Sequence, residues 1–162
     1  VQIRSATVQD ADAIAGIYAP YIADTVITFE ETAVSAGEMA ERIQTVQSAG
    51  LPWLVLTEQG QVLGYAYASP WHKRSAFRHT VESSIYLATS AQGRGLGQQL
   101  YRELLRQLRA CGKHSVIGAI ALPNAASLRL HEQLGFKQVG ELHEAGYKFG
   151  RWINLAYWQL VL

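Results

Sequence analysis

Thr80-Val81-Glu82-Ser83-Ser84-Ile85-Tyr86-Leu87 runs through a short loop into Gln92-Gly93-Arg94-Gly95-Leu96-Gly97-Gln98, after which Leu100, Leu104 and Leu108 recur at every fourth residue. The first stretch has the β-rich character of a strand, and the leucines form one stripe of an amphipathic helix. The glycine-rich turn between them opens onto a helix N-terminus, where unpaired backbone N–H groups and the helix dipole favour an anion. The unit is therefore read as a phosphate-holding turn between a strand and a helix.

Glycine spacing narrows the ligand. A dinucleotide fingerprint needs G-x-G-x-x-G with an acid about 20 residues later. Counted from Gly93, the third place is Gln98, and Lys113 to Gly118 holds no acid. A Walker A loop fails at Gln107 and His114, which stand where a glycine and a Ser or Thr are required before and after Gly112-Lys113.

What remains, Gln92-x-x-Gly95-x-Gly97, resembles the acyl-CoA pyrophosphate loop of the GNAT superfamily of N-acetyltransferases. Asn124-Ala125-Ala126-Ser127-Leu128-Arg129-Leu130-His131-Glu132-Gln133-Leu134-Gly135-Phe136 is similar to a second motif of that family. Trp53-Leu54-Val55, Gly64 to Trp71, Glu82 to Leu87, Leu122-Pro123-Asn124 and Lys148 to Trp152 resemble the phosphinothricin acetyltransferase subgroup, whose relatives also acetylate methionine sulfoximine.

The resemblance implies one domain over residues 1–162, of mixed α/β class, with a central, mostly antiparallel twisted sheet flanked by helices. It implies acetyl-CoA as cosubstrate, a small amino acid analogue as acceptor, and a homodimer. The coenzyme-binding set it implies is Ile85, Tyr86, Leu87, Gln92, Gly93, Arg94, Gly95, Leu96, Gly97, Gln98, Asn124 and Ser127. Asn124 is expected to bond the pantetheine arm.

Composition agrees with a single domain and excludes other classes. A chain of 162 residues buries roughly 70% of its unfolded surface in one core. Lys+Arg number 14 against 13 Asp+Glu, a net charge of +1 with no basic block, so neither nucleic acid nor a membrane surface is expected as a partner. The single cysteine, Cys111, has no internal partner and reads as a small semi-buried apolar residue. With no apolar run near the ~20 residues of a membrane span and no basic-then-apolar leader, a cytoplasmic setting is expected. His131-Glu132 and His143-Glu144 lack the second histidine of H-E-x-x-H, so no catalytic metal is expected.

Along the chain, Ile3-Arg4 starts a strand, and Ile14, Ile17, Tyr18, Tyr21 and Ile22 make the buried stripe of a helix expected to bend or end near Pro20. Thr25 to Glu30 follows as a loop beside the cleft. Ser35-x-x-Glu38 is a capping box for a second helix ending before Gly50. Trp53 to Thr57 and Val62 to Ser69 form a hairpin about Gln59-Gly60, and Pro70 to His79 is an aromatic and cationic loop. After the glycine loop and its helix come a strand from Ser115 to Leu122, a helix from Asn124 to Leu134, a strand from Phe136 to about His143 and a last strand from Ile153 to Val161.

Period-2 geometry sets Thr80, Glu82, Ser84 and Tyr86 on one face of their strand. In the subgroup the residue matching Glu82 is the general base, directly or through water, because an amine attacks a thioester only when neutral. An ordinary carboxyl pKa of about 4.3 makes a weak base, so partial desolvation is the expected device. An oxyanion donor is expected from the backbone N–H of Tyr86 or Leu87. His131 replaces the tyrosine with which many GNAT enzymes protonate the leaving thiolate. It reads either as that donor or a coenzyme contact, or as a packing histidine.

For the acceptor, the resemblance assigns Arg74 to the α-carboxylate, and a planar guanidinium suits a two-bond grip. Phe29, Phe77, Glu82 and Tyr86 join it as acceptor-site residues. Phe77 replaces a tyrosine of the herbicide-acetylating members and Asn154 an aspartate, two departures that bear on substrate choice. Lys148, Gly150, Trp152 and Trp158 fall where pocket walls and the dimer contact are expected. Two alternatives remain open: a protein or peptide N-acetyltransferase with an open groove, and a non-catalytic acyl-CoA-binding regulator.

Overall fold

A computed structural model describes residues 1–162 throughout. Seven strands form one sheet in the order β1-β2-β3-β4-β5-β7-β6. They are β1 (Gln2–Ser5), β2 (Trp53–Glu58), β3 (Gln61–Pro70), β4 (Thr80–Leu87), β5 (Ser115–Ala121), β6 (Lys137–Lys148) and β7 (Arg151–Val161). Every neighbouring pair is antiparallel except β4 and β5. That parallel pair needs a crossover, and the glycine loop with the helix behind it supplies one.

The helices are α1 (Ala11–Asp24), α2 (Ala36–Ser48), α3 (Leu96–Ala110) and α4 (Ala125–Gln133). Two lie on each face. Tyr18 and Tyr21 of α1 meet Tyr86 edge-on at ring separations of 5.0 and 5.1 Å, so the even-numbered face of β4 looks to α1, against which α2 packs. Tyr101 of α3 bonds Ser83, and Leu87 lies against Gly97, so the odd-numbered face looks to α3. The main core joins 28 buried residues from both layers, including Ile14, Ile43, Trp53, Leu56, Leu100 and Leu104.

One sequence expectation is narrowed and another needs correction. Of the two outcomes expected at Pro20, a bend or an end, the helix does not end there; it runs to Asp24. Pro20 and Gly16 both lie on the exposed side, so the carbonyl that the missing N–H leaves free is open to solvent. The last hairpin is longer than expected: β6 reaches Lys148 and β7 begins at Arg151, joined by Phe149 and Gly150 at φ of 54° and 72°. Positive φ at both turn residues is the two-residue hairpin geometry, which Gln59-Gly60 also adopts at 51° and 78°. The register slips between Leu142 and Gly146, where Glu144 takes φ 54°, and this bulge breaks the alternation that would mark a strand.

Candidate active site

The parallel pairing of β4 and β5 is short. Thr80 to Ser83 sit opposite Ser115 to Gly118, and beyond that point neither strand continues the ladder with the other. Antiparallel alternation settles where the freed groups lie. Ala88 N–H bonds Leu63 C=O and Trp71 N–H bonds Thr80 C=O, so even-numbered residues of β4 spend their backbone groups on β3. Ile85 and Leu87 therefore turn theirs into the gap. The expectation of Tyr86 or Leu87 as an N–H donor narrows to Leu87, because the Tyr86 amide is committed to β3.

A cleft opens there, lined by Tyr21, Ile27, Ile85, Tyr86, Leu87 and Gln92, and farther round by Gly93, Gly97, Asn124, Ala126, Ser127 and Leu130. A smaller cavity at its foot reaches Ser83, Ser84, Tyr101, Gly118 and His131. Of the expected coenzyme set, Ile85, Tyr86, Leu87, Gln92, Gly93, Gly97, Asn124 and Ser127 meet around this cleft.

The glycine loop ends in the left-handed region at Gly95, φ 74°, which is the N-cap of α3 and carries no side chain to cap it. Two other helix starts are capped: the Ser35 hydroxyl accepts from Glu38 N–H, and Asn124 Oδ1 accepts from Ser127 N–H at 3.2 Å; α1, which follows a 3-10 turn, has no side-chain cap at Asp10. The first internal bond of α3 is Gln99 N–H to Gly95 C=O, which leaves the amides of Leu96, Gly97 and Gln98 for a ligand. A phosphate group fits this donor set and its dipole. The exposed Arg94 side chain pairs with Glu58 at 2.7 Å. The Leu96 side chain is buried in the core. Asn124 keeps its amide N–H groups for the cleft while its carbonyl caps α4.

Glu82 is half-buried near the paired end of β4, with no hydrogen-bond partner, and burial pushes its carboxyl above the ordinary value. That is the direction a base working on an amine requires. It faces the side of the sheet that carries Tyr67, Ser84 and Tyr86. The Thr25–Glu30 loop does lie beside the cleft, with Ile27 on its wall. It is tied down by Tyr18, whose hydroxyl bonds Thr28 Oγ1 at 2.6 Å and the Glu30 carboxylate, and by Arg42, which grips Glu30 with two bonds of 2.6 and 2.9 Å. The Arg42 guanidinium holds the Glu30 carboxyl below its ordinary value. Lys148, 2% exposed, donates to Thr28 C=O at 2.9 Å. Phe29 lies on Gly146, whose missing side chain makes room for the ring.

His131 is 4% exposed, and both ring nitrogens are engaged: Nδ1 lies 2.8 Å from Ser127 C=O and Nε2 3.0 Å from the Tyr101 hydroxyl. A carbonyl only accepts, so Nδ1 carries the hydrogen and Nε2 accepts from Tyr101, which in turn bonds Ser83 Oγ at 2.5 Å. Burial pushes the imidazole below its ordinary value, and its Nδ1–H is spent on Ser127 C=O. Of the readings open for His131, this geometry favours the packing one, with the ring bonded to Tyr101. Tyr101 was missed in the sequence, where it passes for a core aromatic.

Arg74 and Phe77 line an open hollow with Pro70, Trp71, His72 and Lys73, at the end of β4 nearest Glu82. Arg74 is exposed and has no acidic partner. The structure does not enclose Arg74, Phe29 and Glu82 in one pocket. Asn154 has a structural role. Its Oδ1 accepts from Glu144 N–H at 2.8 Å and its Nδ2 donates to Glu141 at 2.9 Å, so it holds the β6 bulge. Cys111 is exposed at the end of α3, where a semi-buried residue was expected. No three His, Cys, Asp or Glu side chains gather as a metal requires, and no helix is long and apolar enough to cross a membrane.

The sequence matches the acetyltransferase (GNAT) domain family over residues 3–156. It is 41% identical to a phosphinothricin N-acetyltransferase of Streptomyces viridochromogenes over 98% of this chain and 86% of that one. It is 39% identical to an L-methionine sulfoximine/L-methionine sulfone acetyltransferase of Salmonella typhimurium over 99% and 94% of the two chains. The crystal structure of a GNAT superfamily phosphinothricin acetyltransferase from Sinorhizobium meliloti in complex with acetyl-CoA superposes with a TM-score of 0.96 at 40% identity, covering 99% of this chain and 88% of that one. With a family match across nearly its whole length and the open β4–β5 cleft beside an uncapped helix start, this chain belongs to the GNAT acetyltransferase family.

Proposed function

We propose that the chain transfers an acetyl group from acetyl-CoA to the α-amino group of a small amino acid analogue such as phosphinothricin or methionine sulfoximine. The observation that carries this reading is the parted half of the β4–β5 pair, with free phosphate-binding amides at one end and half-buried Glu82 toward the other. Acetyl-CoA supplies a thioester carbonyl that an amine can attack. Amides at the start of α3 hold its pyrophosphate, and Asn124 and Ser127 hold the arm. Glu82, its carboxyl raised by burial, takes the proton from the acceptor's ammonium directly or through water. The Leu87 N–H, unpaired toward the gap, faces the charge that develops on the carbonyl oxygen. The leaving thiolate takes a proton from solvent in the cleft, since His131 is bonded at both nitrogens.

Arg74, free of any acidic partner at the mouth of the hollow, binds the acceptor's α-carboxylate, with Phe29, Phe77 and Tyr86 as apolar walls. The exposed Tyr147, Phe149 and Trp152 at the β6–β7 tip support a homodimer, which sedimentation at micromolar concentration checks by mass. The single, exposed Cys111 accords with a reducing, cytoplasmic setting.

A thiol-release assay with acetyl-CoA tests the whole reading, using phosphinothricin, methionine sulfoximine, methionine sulfone, common amino acids and a peptide with a free N-terminus. Turnover of a free amino acid analogue and not of its carboxamide supports it. Faster turnover of the peptide would transfer the site to protein N-termini, and no turnover with any amine would leave a binding protein.

A further inference from the structure

Tyr21 occupies one of the apolar stripe positions of α1, yet its hydroxyl makes two hydrogen bonds at the cleft. It donates to Leu87 C=O at 2.6 Å and accepts from Gln92 Nε2 at 3.1 Å. The polarity is fixed, because a carbonyl only accepts and an amide nitrogen only donates. One hydroxyl thus joins three elements distant in sequence: α1, the last residue of β4, and the first residue of the glycine loop. The ring stands edge-on to Tyr86 at 5.1 Å and 63°, and the side chain lines the cleft beside Leu87 and Gln92. A phenylalanine would satisfy the packing equally. The hydroxyl answers a different need: Leu87 C=O is a backbone acceptor that β5 has abandoned, and Gln92 begins the loop that ends in the free amides of α3.

We propose that Tyr21 is a positioning residue for acetyl transfer, its hydroxyl setting the distance between the phosphate-binding loop and the Leu87 end of β4 so that a coenzyme anchored at one presents its acyl group at the other. The proposal rests on the reading of the cleft as the acetyl-CoA site. It assigns Tyr21 no proton transfer and no contact with the reacting atoms.

Tyr21→Phe keeps the ring and removes the two bonds. Coenzyme A binding by calorimetry, steady-state kinetics in both substrates and thermal melting are measured for the parent protein, Tyr21→Phe, Gln92→Ala and the double variant. Loss of neutral hydrogen bonds of this kind predicts coenzyme A binding and kcat each weakened about three- to tenfold in Tyr21→Phe. The acceptor KM should stay within twofold and Tm within a few degrees. Because both side chains act through one hydroxyl, the double variant should lose little more than the worse single one.

Coenzyme binding and kcat within twofold of the parent in Tyr21→Phe would overturn the proposal. So would losses that multiply in the double variant, or an acceptor KM that rises as much as the coenzyme constant. If the parent itself binds no coenzyme A, the cleft assignment falls and takes this inference with it; if parent and Tyr21→Phe bind alike, only the inference falls.

Discussion

Strands β4 and β5 behave as two different structures along one length. From Thr80 to Ser83 they are zipped, and from Ser84 to Leu87 they are open, though each half carries one serine and at least two β-forming residues. What differs is the neighbours. At the last paired position, Gly118, the His131 ring lies where a side chain would stand, and the Tyr101 hydroxyl links it across to Ser83. The fork thus begins where a buried polar chain crosses between the two strands. The zipped half holds Glu82 rigid and short of water; the open half offers backbone groups that an extended ligand can use. Division of labour in this site follows the pairing rather than the residue types.

The largest effect should come from the zipped half. Glu82→Gln keeps shape and hydrogen-bonding reach but loses basicity, so kcat should fall about 10²- to 10⁴-fold, the range of a positioned acid or base, and recover partly at high pH where the amine is already neutral. A rate within twofold of the parent at neutral pH would remove Glu82 from the chemistry.

Gly118→Ala tests the fork itself. The added Cβ would meet His131 Nε2 at 2.7 Å, with Tyr101 behind it, so the ring has to shift. Overpacking of this kind costs about 1–3 kcal/mol, read as a lower Tm and a lower denaturant midpoint. An unchanged midpoint would show that the His131 ring does not wedge the strands.

The smallest effect is one of pH. Burial raises the folded-state pKa of Glu82 above its unfolded value, so the folded state binds the proton more tightly and the parent loses stability as pH rises from the unfolded value through the folded one. Glu82→Gln removes that slope. The variant should match the parent in acid and be slightly more stable at neutral pH, by denaturant titration at both ends. Greater stability of the parent at neutral pH would mean that the carboxylate gains a partner instead of losing water.

Much of this fold was legible because local chemistry and tertiary structure agree. The leucine stripe of α3, the Ser35 capping box and the Gln59-Gly60 turn each carry their signal within a few residues. The second hairpin turn has the same backbone as the first but presents Phe149 at its left-handed position, a residue with no turn preference, so it stayed hidden. Glu82, the glycine loop and Asn124 were legible through motifs. Tyr21, Tyr101 and the Glu30–Arg42 pair were not, because what defines them is a partner 12 to 71 residues away. A buried tyrosine does carry one hint, since its hydroxyl has to be satisfied somewhere. Asn154 was singled out through resemblance, while its bonds to the strand bulge, like those of Tyr101, could be seen only in the structure.

The fork also has a signature in hydrogen exchange. Along β4 every second amide is bonded to β3 throughout, while the intervening ones at Ile85 and Leu87 have no acceptor on β5. Deuterium should therefore enter this strand in an alternating pattern, fast at Ile85 and Leu87 and slow at Ser84 and Tyr86, inside an element whose stability is otherwise that of the core. A ligand lying along the cleft as a surrogate strand would slow the fast amides and level the alternation, and the number of amides it slows would measure how far along β4 it reaches.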